Sequence, residues 1–393
     1  MDKKTGLFSN AVIWFGTAIS VSEIEAGIGI GAASSLNSLW VPLVLGHILG
    51  GILLFLIGYI GASVRQNAME VTSTTYGKYG AKFFAILNVM QLVAWVAVLN
   101  AQGATALASL NLPISFPITC IMLAALIALW VYLGLQRVSK ITTVVMTILT
   151  ALLIIISFRF LGFGSNAAGT LTSNSLGFWN IFEISIAMPI SWLPVISDYT
   201  KDVEKPVKAT LVSAIAYSLA SLWMYFIGIE IANIGANYTI AQAILLANLG
   251  TIGIIIVVLS TVTTNFVAAN SAGESSKVIY NKLNPKVIGV IVSALSAILA
   301  ISGIMDHYID FLYLIASVFA PMAAVLLVNY YITKENNEDK NIMYWNMFSW
   351  LAGFIVYNLT VSLDSIFLGP TLLAVIVSAA LAYVPALSKR FHK

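Results

Sequence analysis

Apolar runs of roughly 18 residues or more, separated by short polar segments, recur from one end of the chain to the other. Runs of this length cross a bilayer as helices, because only a helix satisfies its own backbone polar groups in hydrocarbon. The pattern predicts twelve spans, at about 8–34, 37–62, 81–107, 114–135, 139–161, 177–198, 207–234, 240–272, 286–304, 309–332, 343–361 and 365–385. The longest polar stretch, from Thr333 to Asn341, reads as a linker between spans. Residues 1–393 are therefore expected to form one transmembrane domain, with no soluble domain appended.

Charge sets the orientation. If the N-terminus is inside, all of the 19 lysines and arginines except Arg159 fall in segments on the cytoplasmic side. That asymmetry follows the positive-inside rule and would be scrambled by a miscount of one span. Both termini are expected in the cytoplasm and the protein in the plasma membrane. No short apolar region with a small-residue cleavage site stands apart from the first span, so no removable signal peptide is expected.

Composition agrees and excludes other classes. Only 9% of residues are charged, against about 25% in soluble domains, and the mean hydropathy is +0.94. The single cysteine, Cys120, rules out an intramolecular disulfide and a cysteine-rich metal site. The net charge of +3 comes from residues spread over loops, which is no nucleic-acid signal. The chain carries no HExxH or GxSxG and only His47, His307 and His392, so an enzyme is not expected. Neither a cofactor nor an obligate protein partner is expected.

Two spans carry sequences that disturb a helix. The first holds SEIEAGIGIGA, in which Gly27, Gly29 and Gly31 follow two acids, Glu23 and Glu25. The sixth holds Glu183 and two prolines, Pro189 and Pro194, each of which removes a backbone donor. Discontinuous helices at matching positions of two halves mark the binding site of many secondary transporters. Spans one and six are five apart. The pattern therefore fits a five-plus-five inverted repeat, about 8–162 and about 177–332, with two appended helices at about 343–385.

Spans three and eight add polar faces. In span eight, Ser260, Thr263, Thr264 and Ser271 share one helical face, bordered by Asn265 and Asn270. Their oxygens suit a hard cation that has shed its water. In span three, Asn88, Gln91, Trp95 and Gln102 share a face, an aromatic surface flanked by amides. Such a face fits a planar polar ring that stacks and is held by its edge.

These residues resemble the nucleobase–cation symporter family 1, which contains the cytosine and purine permeases. The resemblance covers nearly the whole chain and rests on WFGTAIS with the later GIGIG, on ISDYTKD after span six, and on TTN in span eight. Within that family, the short length and the Ser-Glu-Ile-Glu stretch are most similar to the hydroxymethylpyrimidine transporters. The resemblance implies a LeuT-type fold and a coupling cation, Na⁺ or H⁺, between spans one and eight. By motif, its ligands would come from Gly16, Ile19, Ser260, Thr263 and Thr264. The substrate ring would meet Trp95 and Gln91 of span three and Trp192 or the Met188 region of span six. Either Asn265 or Asn270 would reach the substrate from span eight.

Three acids depart from the family pattern, namely Glu23, Glu25 and Glu183. Each carboxylate at mid-bilayer costs about 2.5–3.5 kcal/mol on insertion scales, so something must offset it. An aminopyrimidine would do so, since a carboxylate accepts from its exocyclic amine and shares a proton with the adjacent ring nitrogen. Substrate contact is expected of Glu23 or Glu183, with proton carriage or satisfaction of broken-helix backbone as the alternatives. His47 reads as a polar packing residue and Asp198 as a helix-end or gate residue. The function expected is symport of a pyrimidine, hydroxymethylpyrimidine first, with a cytosine or purine permease as the alternative.

Overall fold

A computed structural model describes residues 5–34, 36–108, 113–161, 176–234, 240, 250–334, 340–363 and 368–391. The described residues are almost entirely helical, and one isolated bridge, Thr5 to Val203, is the sole β pairing among them. Lys3, Lys4, most of the 333–341 linker and much of the loop between the seventh and eighth predicted spans lie outside them.

The first span is two helices. α1 (Leu7–Ala18) and α2 (Val21–Ala33) meet at 50° across Ile19 and Ser20. The break therefore precedes the glycines that the sequence suggested would cause it. Ser20 is extended and its hydroxyl accepts from the Glu23 backbone N–H, an N-cap that starts α2 afresh. The glycines stay helical and do a different job. A Cβ at Gly27 would strike the backbone of Tyr225, one at Gly31 would meet Ile229 and Ala232, and one at Gly228 would strike the Ile24 carbonyl. Small residues let helix backbones approach where lipid supplies no hydrophobic drive. They press α2 onto α9 (Pro206–Ile234).

α3 (Leu36–Val64) leads to α4 (Ala68–Ala108), which is really two helices joined at Gly77, where φ is +69° and ψ is 177°. The residues before that kink, expected as an inside loop, are helical from a capping box. Asn67 Oδ1 accepts from the Glu70 N–H, and Glu70 Oε2 from the Asn67 N–H. Next come α5 (Phe116–Leu133), α6 (Leu135–Leu161) and α7 (Phe178–Ser191). A turn over Trp192–Val195, containing Pro194, separates α7 from the short α8 (Ile196–Thr200). Beyond α9 lie α10 (Gly250–Ile279), α11 (Pro285–Ile301), α12 (Tyr308–Leu327), α13 (Lys340–Thr360) and α14 (Gly369–Phe391).

Seven described helices are long and apolar enough to cross a membrane, and the bent α1–α2 pair makes an eighth segment. The other four predicted spans fall on α6, α7–α8, α11 and α13. These are helical but shorter, interrupted or more polar: the apolar described part of α6 is Thr143–Phe158 and α11 covers only Pro285–Ile301. Burial separates centre from edge. In α10, 72% of the apolar window is buried, against 22% in α14, so α10 is a central helix and α14 a peripheral one. Large apolar side chains such as Phe8, Met90, Phe158, Leu219 and Ile298 point outward, as they do where the surroundings are lipid.

Candidate substrate cavity and cation site

The two breaks face each other across α4 and α10. At the first, α1 stops before its last carbonyls find helical partners, and hydroxyls of α10 approach them. Ser260 Oγ donates to the Ile19 carbonyl at 2.7 Å. Thr264 Oγ1 sits 3.4, 3.3 and 3.3 Å from the carbonyl oxygens of Gly16, Thr17 and Ile19. These five oxygens are neutral and belong to residues buried beside the break. Such a donor set fits a hard monovalent cation in place of its hydration shell. Thr263 is turned back, donating to the Leu259 carbonyl at 2.7 Å and the Ser260 carbonyl at 3.2 Å. Among the described residues no cluster of three His, Cys, Asp or Glu side chains forms a metal site.

At the second break, α4 supplies the amides that the freed carbonyls need. Asn88 Nδ2 donates to the Pro194 carbonyl at 3.0 Å and to Ser275 Oγ at 2.8 Å. Gln91 Nε2 donates to Asn88 Oδ1 at 2.7 Å and to the Ser191 carbonyl at 3.4 Å. Gln91 thus holds the break with its amide nitrogen, while its Oε1 has no partner among the described residues.

Between the breaks lies a narrow cavity lined by Thr17, Ser20, Ser22, Glu23, Trp95, Leu99, Met188, Ser191, Trp192 and Thr264. Behind Trp192 lies an aromatic cluster: Trp14 meets Trp192, Tyr199 and Tyr217 edge to face, with centroids 6.0, 6.1 and 6.1 Å apart. Trp95 packs edge-on against Phe311 and Tyr308, and its indole N–H has no partner among the described residues. Glu23 is 2% exposed. Its Oε1 accepts from the Tyr217 hydroxyl at 2.9 Å and its Oε2 contacts the Ser221 hydroxyl at 2.8 Å. A carboxylate offers about four lone-pair positions, so acceptor capacity remains for a ligand.

The structure thus brings Glu23, Trp95, Met188 and Trp192 to one cavity, and sets Gly16, Ile19, Ser260 and Thr264 beside it. The remaining sequence candidates sit elsewhere. Glu183 reaches α14, accepting from the Thr371 N–H at 3.1 Å and the Thr371 hydroxyl at 2.6 Å. Asn270 Nδ2 donates to the Tyr199 hydroxyl at 3.2 Å. Asn265 is fully buried with no partner for its amide, yet does not line the cavity. Glu25 accepts from Gln102 Nε2 at 2.5 Å, and Ser22 in turn donates to Gln102 Oε1. Thr17, Ser20, Ser22, Leu99 and Ser191 were not foreseen. For Ser20 a signal existed, because Ser-Val-Ser-Glu is the S-x-x-E signature of a new helix start.

At the ends of α8 and α10 and the start of α4, polar contacts tie the helices together. Asp198 Oδ1 accepts from the Ala68 N–H at 2.9 Å, at the start of α4. Lys201 pairs with Glu274 at 2.8 Å, joining the end of α8 to α10, and Lys277 lies 3.5 Å from the same carboxylate. Arg65 donates to the carbonyls of Lys201 and Val203 at 2.9 and 2.5 Å.

Comparison with known structures places this arrangement. The chain superposes on Mhp1, a nucleobase-cation-symport-1 family transporter, closed with bromovinylhydantoin bound, with a TM-score of 0.75 and 18% identity, over 98% of this chain and 92% of that one. Inward-facing Mhp1 gives a TM-score of 0.72 at 17% identity, over 98% and 92%. A Na⁺-coupled sialic acid symporter in a substrate-bound outward-open state gives 0.72 at 14% identity, over 97% and 89%. These likenesses establish a shared transporter fold. Comparison by sequence with curated proteins finds no match. The profile of the permeases for cytosine/purines, uracil, thiamine and allantoin, however, matches residues 2–384. With all but a few terminal residues inside that match, the chain belongs to this family of membrane permeases.

Proposed function

We propose that the protein is a cation-coupled importer of a small amino-substituted pyrimidine, working by alternating access about the cavity between its two helix breaks. The substrate that fits best is hydroxymethylpyrimidine (4-amino-5-hydroxymethyl-2-methylpyrimidine), a thiamine precursor. The observation that carries this reading is the buried Glu23 side chain in the wall of a cavity that Trp95 and Trp192 also line. Glu23 would accept from the exocyclic amine and share a proton with the neighbouring ring nitrogen. The indole N–H of Trp95 and the hydroxyls of Ser20 and Ser191 supply further edge contacts. Met188 gives the ring an apolar wall.

Coupling would come from Na⁺ at the oxygens of Gly16, Thr17, Ile19, Ser260 and Thr264. Thr264 belongs to both this set and the cavity wall, which ties ion and substrate occupancy together. The Na⁺-coupled sialic acid symporter and the hydantoin-bound Mhp1 support the combination of cation coupling with a small planar or polar substrate in this fold. Twelve spans in a five-plus-five repeat with two appended helices, in the plasma membrane with both termini cytoplasmic, complete the reading. Counterflow uptake into proteoliposomes tests it. Labelled hydroxymethylpyrimidine should accumulate in a saturable, Na⁺-dependent way and be displaced poorly by uracil, whose edge pattern is reversed. Preference for cytosine would move the assignment to the cytosine permeases, and absence of counterflow with either base would refute the substrate class.

A further inference from the structure

Glu23 is one end of a buried chain that crosses four helices. Its Oε2 lies 2.8 Å from Ser221 Oγ on α9. Ser221 Oγ lies 2.7 Å from Nε2 of His47 on α3, and the other ring nitrogen, Nδ1, lies 2.7 Å from Ser185 Oγ on α7. Ser185 Oγ in turn donates to the Leu43 carbonyl at 2.5 Å, which also lies 3.1 Å from Nδ1. All four side chains are sealed from solvent. The chain connects the first broken span to the second.

Two hydrogen arrangements follow from the contacts at Ser185. With the Ser185 hydrogen on the Leu43 carbonyl, 2.5 Å away, Nδ1 carries a hydrogen and donates; with it on Nδ1 instead, the chain closes on a carboxylate and a neutral imidazole, and the Leu43 contact is left without a hydrogen. The 2.5 Å contact favours the first. Ser221 also has one hydrogen and two acceptors, Glu23 and His47. If it donates to Nε2, its contact with Glu23 requires a hydrogen on the carboxyl. If it donates to Glu23, its contact with Nε2 requires a second hydrogen on the imidazole. Both placements of the Ser221 hydrogen hold one proton more than a carboxylate beside a neutral imidazole, and they interconvert by a shift along Ser221. We propose that Glu23 and His47 form a single proton-binding site, bridged by Ser221, in the wall of the cavity. The proton is then a ligand of this transporter distinct from the cation at the α1–α10 oxygens. The site itself stands independently of which substrate the cavity takes.

The groups facing it are few. Tyr217 and Tyr225 approach from α9, the latter with its ring edge-on to His47 at 5.0 Å; Tyr308 approaches from the start of α12, and Glu25 lies on α2 itself. Both ion pairs among the described residues involve Glu274, and no basic side chain among them pairs with Glu23. Because the chain joins α2, α9, α3 and α7, relative movement of these helices would open it and release the proton.

Infrared titration of the purified, substrate-free full-length protein tests the site. A protonated-carboxyl band should be present, disappear in Glu23→Gln and persist in Glu183→Gln. Its pH midpoint should move by about one pH unit or more in Ser221→Ala, the scale on which two linked sites separate their titrations. Ser221→Thr, which keeps the hydroxyl, should restore the parent midpoint, and His47→Gln should shift it as Ser221→Ala does. Thermal melting of each variant confirms a folded sample. An unchanged midpoint in folded Ser221→Ala would overturn the proposal, as would a band that survives Glu23→Gln unaltered. Binding of labelled hydroxymethylpyrimidine to the same samples is scored separately: its absence refutes the substrate reading alone.

Discussion

The two broken spans occupy corresponding places in the fold but are built by opposite means. The first breaks without proline or glycine at the break itself, because Ser20 caps a new helix one turn before Glu23. The second breaks around Pro194, and amides from α4 must satisfy the carbonyls it frees. Each carries a glutamate, Glu23 buried and Glu183 half-buried, and the two acids are not equivalent. Glu23 looks into the cavity and toward His47, whereas Glu183 faces away and fastens α14 through Thr371. A costly intramembrane carboxylate is therefore not by itself a sign of substrate contact; its partners decide its role.

The comparison predicts a graded set of effects. The largest belongs to Gly228→Val. Its side chain would meet the Ile24 carbonyl and the Gly27 backbone, which cannot rotate away. Overpacking of this kind costs about 1–3 kcal/mol or more, so the variant should melt far below the parent or fail to assemble. Next comes Thr264→Ala, which removes the oxygen nearest three carbonyls of the first break. It should weaken the Na⁺ dependence of substrate binding about tenfold, ~1.4 kcal/mol, while leaving the melting temperature close to that of the parent. Thr263→Ala, whose hydroxyl faces its own helix, should leave Na⁺ dependence unchanged.

Thr371→Ala probes the second acid. It removes one of the two hydrogen bonds that hold Glu183 and should cost about 1 kcal/mol of stability with no change in substrate affinity. Gly29→Ala is the smallest change and has the opposite sign. No atom lies within 4 Å of a Cβ there, so alanine should stabilise α2 by about 0.5–1 kcal/mol. If Gly29→Ala instead straightened the helix and abolished transport, the glycines would be the break after all.

Much of this was legible in the chain. Apolar runs gave the helices, the polar face of span three gave Trp95, and the family resemblance gave Met188 and Trp192, all three of which line the cavity. What misled was local. Gly27 and Gly31 read as helix breakers, but their effect depends on a partner helix that no short window reveals. Glu183 read as a cavity acid because its partner, Thr371, lies 188 residues away. Asn88 and Gln91 read as substrate amides for the same reason, since the carbonyls they serve belong to a distant break. The Ser221–His47 bridge joins residues 174 apart and had no sequence signature.

The central claim is that Glu23, and not Glu183, recognises an amino-substituted pyrimidine. Equilibrium binding of labelled hydroxymethylpyrimidine to Glu23→Gln and Glu183→Gln, side by side with the parent at one pH and one Na⁺ concentration, tests it most directly. Glutamine keeps the shape and one acceptor but cannot share a proton with the ring nitrogen. Glu23→Gln should lose about 1.5–3 kcal/mol of affinity, the worth of a hydrogen bond to a charged group, and Glu183→Gln should bind like the parent. Parent-like binding by Glu23→Gln, or a loss confined to Glu183→Gln, would contradict the account.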